Sequence, residues 1–354
     1  MPKTGLEPTQ ANCLLDPESS ASANSATSAP YKVICMRQIS QEVTMKIFQT
    51  FDIETRFPNP VLTIGNYDGV HMGHRRIIKR VVEKAREISG TPMLMSFYPH
   101  PHSILQPDSY IRLITPPHIK ERLVAETGIE VMFEIPFDEH LRSIAPENFI
   151  EDVLLKKIGV AGVIVGYDFR FGKGGAGDVR MLMEYSHKKG FYFDVVGAIT
   201  LDEEKIGSNR IRKLIMDGEV KKANELLGRL HMIEGFVVHG VNRGKNMGFP
   251  TINFETVFEL IPGNGVYITE VEFDDRRWPS VTNVGCNPTF DGRKLLVETH
   301  ILDFGGDLYD REIVIYFHER IRAEQKFKDM SELVLQISRD VQTARDFFKK
   351  RLKA

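Results

Sequence analysis

Two histidines stand three positions apart where an apolar run gives way to a glycine-rich turn. The stretch 61–74 reads VLTIGNYDGVHMGH and ends on His71, Gly73 and His74. Glycines allow the backbone to approach a ligand closely, and a helix that begins after such a turn offers free amides to an anion. Because ligands of parallel sheets bind at the carboxyl ends of the strands, the pattern predicts a phosphate site that both imidazoles face.

A pair of nearby histidines is also found in zinc sites and on ordinary protein surfaces. Zinc-binding helices usually space two histidines four apart and place an acid beside them, and neither feature is present here. The phosphate interpretation is therefore favoured over zinc, while the surface alternative stays open on these residues alone.

A second glycine-rich segment follows a later apolar run. The stretch 166–178 reads GYDFRFGKGGAGD and carries Asp168 and Arg170. Its glycines would let the loop approach a flavin or phosphates closely. A mobile surface loop has the same composition and remains the alternative.

The stretch 206–212, IGSNRIR, opens a predicted helix. Ser208 and Asn209 are residue types that cap helix starts, and Arg212 follows one turn later. Free amides at a helix start and an arginine can both bind phosphate. A further phosphate contact is therefore predicted here.

The second half of the chain contains a basic, glycine-rich stretch, 239–253, which reads HGVNRGKNMGFPTIN. Pro250 fixes the backbone before Thr251 and Asn253, and strand alternation turns these two side chains to one face. A hydroxyl and an amide oxygen there could hold Mg²⁺ and phosphate oxygens. Loops of this composition are often merely mobile.

An acid lies on a later apolar run, 297–304, which reads VETHILDF. In an extended strand Glu298 and His300 share one face, opposite Val297 and Ile301. Judged by the residues alone, such an acid most often faces solvent.

The elements that must position these residues change in type along the chain. From 61 to about 228, short apolar runs alternate with amphipathic stretches, which predicts a parallel sheet covered by helices on both faces. From 231 to 318 only turn residues separate the apolar runs, which predicts an antiparallel barrel or sandwich. Predicted strands lie at 61–65, 93–97, 131–135, 162–166, 191–196, 233–238, 265–273, 280–284, 295–302 and 313–317, and predicted helices lie near 73–89, 117–127, 146–158, 178–189, 209–217, 219–227 and 331–352.

Composition excludes several classes of protein. A chain of 354 residues is long enough for two compact domains, and its net charge of −2 implies no nucleic-acid partner. No apolar run reaches the roughly 18 residues of a membrane span. The three cysteines are odd in number, far apart and without metal-ligand spacing. We therefore expect no disulfide framework and a cytoplasmic protein.

Residues 1–44 differ from the rest of the chain. The segment 18–30 reads ESSASANSATSAP and has no apolar period, so a disordered tail is expected. An over-extended start is a second interpretation, because Met45 opens a stretch with the pattern of folded protein. No apolar core of a signal peptide is present, and a transit peptide would contain more arginine and fewer acids.

These motifs together resemble the bacterial bifunctional riboflavin kinase/FAD synthetase family over roughly 45–352. The stretch 65–74 resembles the His-x-Gly-His signature of its FAD-synthetase branch, and 206–212 resembles a second nucleotidyltransferase signature, Ile-Ser-Ser-Thr-x-x-Arg. There Gly207 and Asn209 replace a serine and a threonine. The stretch 248–253, GFPTIN, resembles the riboflavin-kinase signature Gly-x-Pro-Thr-Ala-Asn.

The resemblance implies a fold and a division of labour. An α/β, Rossmann-like nucleotidyltransferase domain (45–228) would adenylylate FMN, and a small antiparallel β-barrel domain with a C-terminal helix (229–354) would phosphorylate riboflavin. The implied substrates are riboflavin, FMN and ATP, with Mg²⁺ as cofactor and with neither nucleic acid nor membrane as partner. The oligomeric state cannot be inferred from the sequence.

The resemblance also implies roles for individual residues. Glu298 would be the base of the kinase step, and His71 and His74 would stabilise charge on the α-phosphate of ATP. The other implied site residues are Gly65, Asp68, Gly69, Gly73, Ser208, Asn209, Arg212, Arg243, Gly248 and Pro250 for nucleotide and phosphate, Asp168 and Arg170 for flavin, and Thr251 and Asn253 for metal.

Two other classes of protein stay open at this point. One is a nucleotidyltransferase with a single activity and a non-catalytic β domain, against which the retained Thr251, Asn253 and Glu298 argue. The other is a non-enzymatic flavin-binding regulator, against which His71 and His74 argue.

Overall fold

The computed structural model of the chain describes residues 32–38, 41–106, 108–201, 203–239, 248–289 and 292–351. These residues divide into two compact units. The first, here called the sheet unit, lies within 26–212 and 225–228. The second, here called the barrel unit, lies within 213–224 and 229–354.

The sheet unit is built on seven strands in the order β1-β2-β5-β4-β3-β6-β9. Strands β2 to β9 of this sheet are parallel, and β1 is antiparallel to β2 at the edge. The bounds are β1 Lys32–Gln38, β2 Gln41–Phe48, β3 Val61–Ile64, β4 Pro92–Tyr98, β5 Val131–Pro136, β6 Gly162–Gly166 and β9 Tyr192–Val196, with the short pairs β7 Arg170–Phe171 and β8 Gly177–Asp178, and β10 Thr200–Leu201 and β11 Glu204–Lys205.

Helices connect these strands, as the alternating pattern predicts. Their bounds are α1 Met72–Glu87, α2 Pro101–Leu105, α3 Pro117–Ala125, α4 Glu139–Ser143, α5 Pro146–Asn148, which continues into a π-helix over Phe149–Ile158, a 3₁₀ turn over Lys173–Gly175, α6 Val179–Lys189, α7 Ser208–Met216 and α8 Val220–Leu227. Each of the helices α7 and α8 contains some residues of the sheet unit and some of the barrel unit.

The central strands are buried on both faces. All four residues of β3 are buried, and the π-helix and α6 contribute Phe149, Leu154 and Leu182 to a cluster on one face of the sheet. The predicted apolar stripe of α1 is confirmed, since Ile78 and its helical neighbours Val81 and Ala85 are buried. Burying one such side chain contributes about 1.5–3 kcal/mol to stability.

The sheet begins before residue 45. Strands β1 and β2 pair antiparallel, and β2 pairs parallel with β5 through Lys46–Phe48, where Ile47 and Phe48 are buried. Residues 32–38 and 41–44, which the sequence placed in the tail, therefore take part in strands. Residues 1–31 lie outside the described residues.

The barrel unit is a closed antiparallel barrel in the order β12-β13-β16-β15-β14-β17. The barrel prediction is confirmed and the sandwich alternative is wrong. The bounds are β12 His231–Val238, β13 Ile252–Glu255, β14 Gly265–Phe273, β15 Arg276–Thr289, β16 Gly292–Ile301 and β17 Glu312–Arg322, followed by a C-terminal helix, α9, Met330–Arg351. Val341, Ala344 and Phe348 of this helix are buried in one cluster with Val266 and Ile268 of β14.

A chain of hydroxyl groups crosses the barrel interior. The Thr269 hydroxyl is hydrogen-bonded to the hydroxyls of Ser280 at 2.7 Å and Thr282 at 2.8 Å. The Thr282 hydroxyl is in turn hydrogen-bonded to that of Thr299 at 2.8 Å. All four residues are fully buried, so their hydroxyls satisfy one another where water is excluded. Thr299 is thereby fixed facing inward, which turns its neighbours on β16 outward.

One cysteine is in a disulfide bond. Cys286, on β15, is disulfide-bonded, whereas the number and spacing of the cysteines predicted no disulfide framework. The side chains of Cys13 and Cys35 lie outside the described residues.

Among the described residues, none of the helices has both the length and the apolar composition that crossing a bilayer requires.

Candidate active sites

The histidine turn is shaped by backbone conformations that ordinary residues rarely adopt. Between β3 and α1 the φ angles of Tyr67, Gly69 and Val70 are +51°, +86° and +39°. His71 caps α1, and its Nδ1 accepts a hydrogen bond from the His74 amide at 3.3 Å. A side chain at Gly73 would approach the His71 ring to 3.0 Å, so glycine lets the imidazole fold over the helix start.

The two imidazoles form a stacked pair. The ring centroids of His71 and His74 are 3.6 Å apart with an interplanar angle of 15°. Burial, and to a lesser degree the neighbouring His71, lower the pKa of His74 well below its ordinary value. His74 is therefore neutral near pH 7. Because Nδ1 of His71 accepts a hydrogen bond, a neutral His71 carries its proton on Nε2 and can donate it to an anion.

Tyr67 packs against the histidine pair through His74. Its ring lies 4.9 Å from that of His74, and its hydroxyl lies 2.5 Å from Thr63 Oγ1. Tyr67 is fully buried, and burial raises the pKa of its phenol. Gly65 leaves room for the Tyr67 ring, which a side chain at that position would meet at 3.1 Å. The motif contains Tyr67, but only the contact with His74 identifies it as a support.

Asp68 and Arg212 form a buried ion pair in the sheet unit. Nη2 of Arg212 lies 2.8 Å from Oδ2 of Asp68, and both side chains are almost inaccessible. The same carboxylate accepts hydrogen bonds from the amides of Ile114 and Thr115 at 2.9–3.1 Å. Arg212 also donates from Nε to the carbonyl of Arg112 at 3.0 Å. The two residues that the sequence assigned to phosphate are thus bonded to each other.

The start of α7 joins the same network. Ser208 donates to the carbonyl of Asp68 at 3.0 Å, and Asn209 Oδ1 accepts from Nη1 of Arg212 at 2.5 Å. A side chain at Gly207 would meet nothing within 4 Å. The two departures from the family signature therefore differ, because Asn209 holds Arg212 whereas Gly207 leaves open space.

A small cavity of about 10 Å³ lies beside Asp68 at the carboxyl ends of β3 and β4. At its wall, Lys120 forms a buried ion pair with Glu134 at 2.9 Å and donates to Ser96 at 2.8 Å. His100 caps α2, and burial lowers its pKa to about 4, so it is neutral. The remaining lining residues are Asn66, Phe97, Tyr98, Leu113, Thr115 and Pro117.

The predicted flavin loop lies after β6. Asp168 is exposed and pairs with Lys205 at 2.6 Å, while the Lys205 ammonium also lies 4.6 Å from the Tyr167 ring centre. Arg170 is exposed, with its guanidinium 3.9 Å from Asp178. Among the described residues, Asp168 and Arg170 form no hydrogen bond with Asp68 or Arg212.

In the barrel unit, three polar residues lie side by side on adjacent strands. Strand register places Asn253 of β13 opposite Glu298 of β16, and Glu298 opposite Asn283 of β15. Val297, Thr299 and Ile301 are buried, whereas Glu298 and His300 are partly exposed. The predicted alternation of β16 is thus confirmed, and the row faces outward.

The segment before β13 is held to this row. Thr251 precedes the first residue of β13 and is partly exposed, and the carbonyl of Pro250 lies 2.8 Å from His300 Nδ1. Gly248 has a φ of +81°, which favours glycine. Arg243 lies outside the described residues.

Two residues near this row were not singled out by the sequence analysis. Asn283 is the lateral neighbour of Glu298, and the Glu324 carboxylate covers Gly285, two residues further along β15. A side chain at Gly285 would collide with that carboxylate. Only the pairing of β15 with β16 reveals Asn283 as a member of the site, since the two residues are far apart in sequence.

Comparison with known proteins assigns each unit to a class. A family model described as FAD synthetase matches residues 54–210, and one described as riboflavin kinase matches residues 227–348. The fold and the two sites therefore define a two-domain flavin-nucleotide transferase.

Curated relatives combine both domains in one chain. The bifunctional riboflavin kinase/FMN adenylyltransferase of Escherichia coli (strain K12) is 38% identical over 81% of this chain and 92% of its own. The protein of the same name from Bacillus subtilis (strain 168) is 34% identical over 81% of this chain and 92% of its own. This chain belongs to the bifunctional riboflavin kinase/FMN adenylyltransferase family.

A solved structure supports the fold. The crystal structure of a protein from Streptococcus pneumoniae described as a macrolide-efflux protein is 30% identical, with a TM-score of 0.78 over 84% of this chain and 98% of its own.

Proposed function

We propose that the protein phosphorylates riboflavin to FMN at the outward-facing row of the barrel unit, and adenylylates FMN to FAD at the histidine turn of the sheet unit. The observation that carries this proposal is the coexistence of two built sites within one chain. One is the Asn253–Glu298–Asn283 row, and the other is the stacked His71–His74 pair at the start of α1.

In the kinase step, Glu298 accepts the proton of the ribityl 5′-hydroxyl as its oxygen attacks the γ-phosphorus of ATP, and ADP leaves. The neighbouring amides of Asn253 and Asn283 can hold the carboxylate in place from both sides. This geometry supports Glu298 as the base, because it is the carboxylate at the centre of the row.

The oxygen donors on this face fit Mg²⁺. Thr251 supplies a hydroxyl and Asn253 an amide oxygen beside a carboxylate, and Mg²⁺ prefers a few such protein oxygens together with substrate phosphates. When bound, the ion neutralises charge on the phosphates of ATP. Arg243 and Gly248 belong to the loop proposed to cover the nucleotide.

In the FAD step, a phosphate oxygen of FMN attacks the α-phosphorus of a second ATP and pyrophosphate leaves. His71 and His74 donate N–H groups to the phosphoryl oxygens as negative charge builds up there. A fixed imidazole pair in which His74 is neutral suits this role, since its N–H groups are already held in place for the phosphoryl oxygens. The glycines Gly65, Gly69 and Gly73 shape the turn, and Asp168 with Arg170 would contact the flavin.

The same proposal sets the domain limits and the location. The FAD-forming domain spans 45–228, extended in the structure by the strands that begin at Lys32, and the kinase domain spans 229–354. The protein acts in the cytoplasm on riboflavin, FMN and ATP.

One assay tests the proposed function. Purified protein is incubated with riboflavin and Mg-ATP while FMN and FAD are separated and measured over time. FMN should appear first and FAD after it, and FMN supplied alone with Mg-ATP should yield FAD. Formation of only one of the two products would indicate an enzyme with a single activity. Binding of flavin without any turnover would indicate a non-enzymatic regulator.

A further inference from the structure

The arginine that the signature assigns to phosphate is already neutralised. Arg212 donates from Nε to a backbone carbonyl, from Nη1 to Asn209 and from Nη2 to the carboxylate of Asp68. Its side chain is buried. A transferred adenylyl group and a departing pyrophosphate carry several negative charges, so an uncompensated cation near the histidine pair would stabilise the reaction.

Arg75 lies immediately after His74 on α1. It lies four positions after His71, so helical geometry returns it to the same side of the helix within about 40°. Side chains of a helix lean toward its N-terminus, which directs a long arginine back toward the turn that carries both imidazoles. Position and reach therefore allow its guanidinium to approach the proposed phosphate site.

Among the described residues, the side chain of Arg75 is partly buried and has no partner. Its Nε is buried without a hydrogen bond, and within the described parts of the chain the side chain has no ion pair. The terminal nitrogens are not among the buried atoms that lack a hydrogen bond, and the residue as a whole is partly exposed. By contrast Arg80, further along the same helix, is paired with Asp194 at 2.9 Å. Arg75 thus keeps its full charge and several free donors.

We propose that Arg75 binds the triphosphate of ATP, and then the pyrophosphate that leaves it, in the FAD-forming step. A guanidinium presents a planar fork of donors that matches phosphate oxygens, and no carboxylate of the described residues shares the charge of Arg75. As the bond from the FMN phosphate oxygen to the α-phosphorus forms and the bond to the β-phosphate oxygen breaks, Arg75 stabilises the charge on the departing pyrophosphate. This inference rests on the proposed FAD-forming activity.

The test compares Arg75→Gln and Arg75→Lys with Arg76→Gln, which removes the exposed neighbouring arginine. Pyrophosphate binding is measured by titration calorimetry, and pyrophosphate inhibition is measured in the conversion of FMN to FAD. Arg75→Gln should weaken both by about 10- to 100-fold, as expected for a lost charge-assisted bond. Arg75→Lys should recover part of the loss, and Arg76→Gln should match the unmodified protein.

The kinase step serves as the control for folding, because its site lies in the other unit. Pyrophosphate affinity in Arg75→Gln equal to that in Arg76→Gln would overturn the inference, whatever happens to the turnover rate. A loss of FAD formation with unchanged pyrophosphate affinity would also overturn it, because Arg75 would then only support the helix. If the unmodified protein forms no FAD, the proposed function fails and the role of Arg75 in that step fails with it, whereas a weakened pyrophosphate affinity in Arg75→Gln alone would still show that Arg75 binds phosphate.

Discussion

The two sites are held in place by different means. In the sheet unit the functional groups are fixed by buried contacts, namely the stacked imidazoles and the Asp68–Arg212 pair. In the barrel unit they are fixed by strand register, which aligns Asn253, Glu298 and Asn283 on an outer face. A site built on register needs few side-chain contacts of its own, whereas a site built on a turn depends on every contact that holds the turn.

This difference predicts how each site fails. A substitution in the barrel row should remove chemistry and leave the fold intact, because the row faces outward. A substitution in the Asp68–Arg212 network should weaken the fold of the sheet unit before it reveals any chemical role. The following experiments test that contrast, beginning with the largest expected effect.

The largest effect is expected from Glu298→Gln. Loss of a general base typically costs about 10²–10⁴ in rate, so FMN formation should fall by that factor while supplied FMN is still converted to FAD. The two products are followed separately in the purified variant. Glu312→Gln, which changes an exposed acid at the start of β17, is the matched control and should leave both steps unchanged. An equal fall in both steps in a folded Glu298→Gln protein would contradict the assignment of the base.

The next effect concerns stability. Asp68→Asn leaves the Arg212 guanidinium buried without a counter-charge, and breaking a buried pair in this way costs about 3–5 kcal/mol. Asp168→Asn breaks the exposed pair with Lys205, for which at most about 1 kcal/mol is expected. Urea unfolding of both variants measures the two losses. Equal stabilities would show that the Asp68–Arg212 pair contributes no more than a surface pair.

Removal of one imidazole should slow only the FAD step. Loss of a preorganised transition-state donor costs about 10²–10³ in rate, so His71→Ala and His74→Ala should each weaken FAD formation by that factor and spare the kinase step. His187→Ala, on the exposed face of α6, is the control. FAD formation near the unmodified rate in both histidine variants would exclude the pair from the reaction.

The lowered pKa of His74 also predicts a pH dependence of stability. The unfolded chain binds a proton at His74 near pH 6.5, whereas the folded protein does so only well below that value. Between these two pKa values the unfolded state binds more protons, so the sheet unit should lose stability as the pH falls below about 6.5. His74→Phe should flatten this dependence, as measured by thermal unfolding from pH 7.5 to 5. If the pH dependence of stability is unchanged in His74→Phe, other titratable groups cause it.

Much of the fold was predictable because its signals are local. The stripe of α1 and the alternation of β16 depend on neighbours within a few residues, and both were correctly predicted. The pair of β1 and β2 was missed although β1 contains the apolar run VICM at 33–36, because the place of the pair in the sheet depends on pairing of β2 with β5, far along the chain. Periodicity within one segment cannot report such a partner.

The candidate sites show the same limit. The histidine turn and Glu298 were found because their motifs are contiguous. The contact of Asp68 with Arg212 joins residues 144 positions apart, and Asn283 meets Glu298 only through strand pairing. Sequence therefore supplied many members of each site but not which of them neutralise each other, and that distinction separates Arg212 from Arg75.

The smallest effect, and the finest test of the contrast, is expected at the start of α7. A side chain at Gly207 meets nothing within 4 Å, so Gly207→Ser can add a hydroxyl without displacing a neighbour. One added neutral hydrogen bond contributes about 0.5–1.5 kcal/mol, which corresponds to a two- to tenfold gain in ATP use in the FAD step. Asn209→Thr should bring no such gain, because its shorter side chain gives up the contact in which Asn209 accepts from Arg212. ATP dependence of FMN-to-FAD conversion is measured for both single variants and the double variant, with the kinase step as control. A gain in Asn209→Thr alone would mean that the freed Arg212 binds ATP, and the buried network would then restrain the site rather than build it.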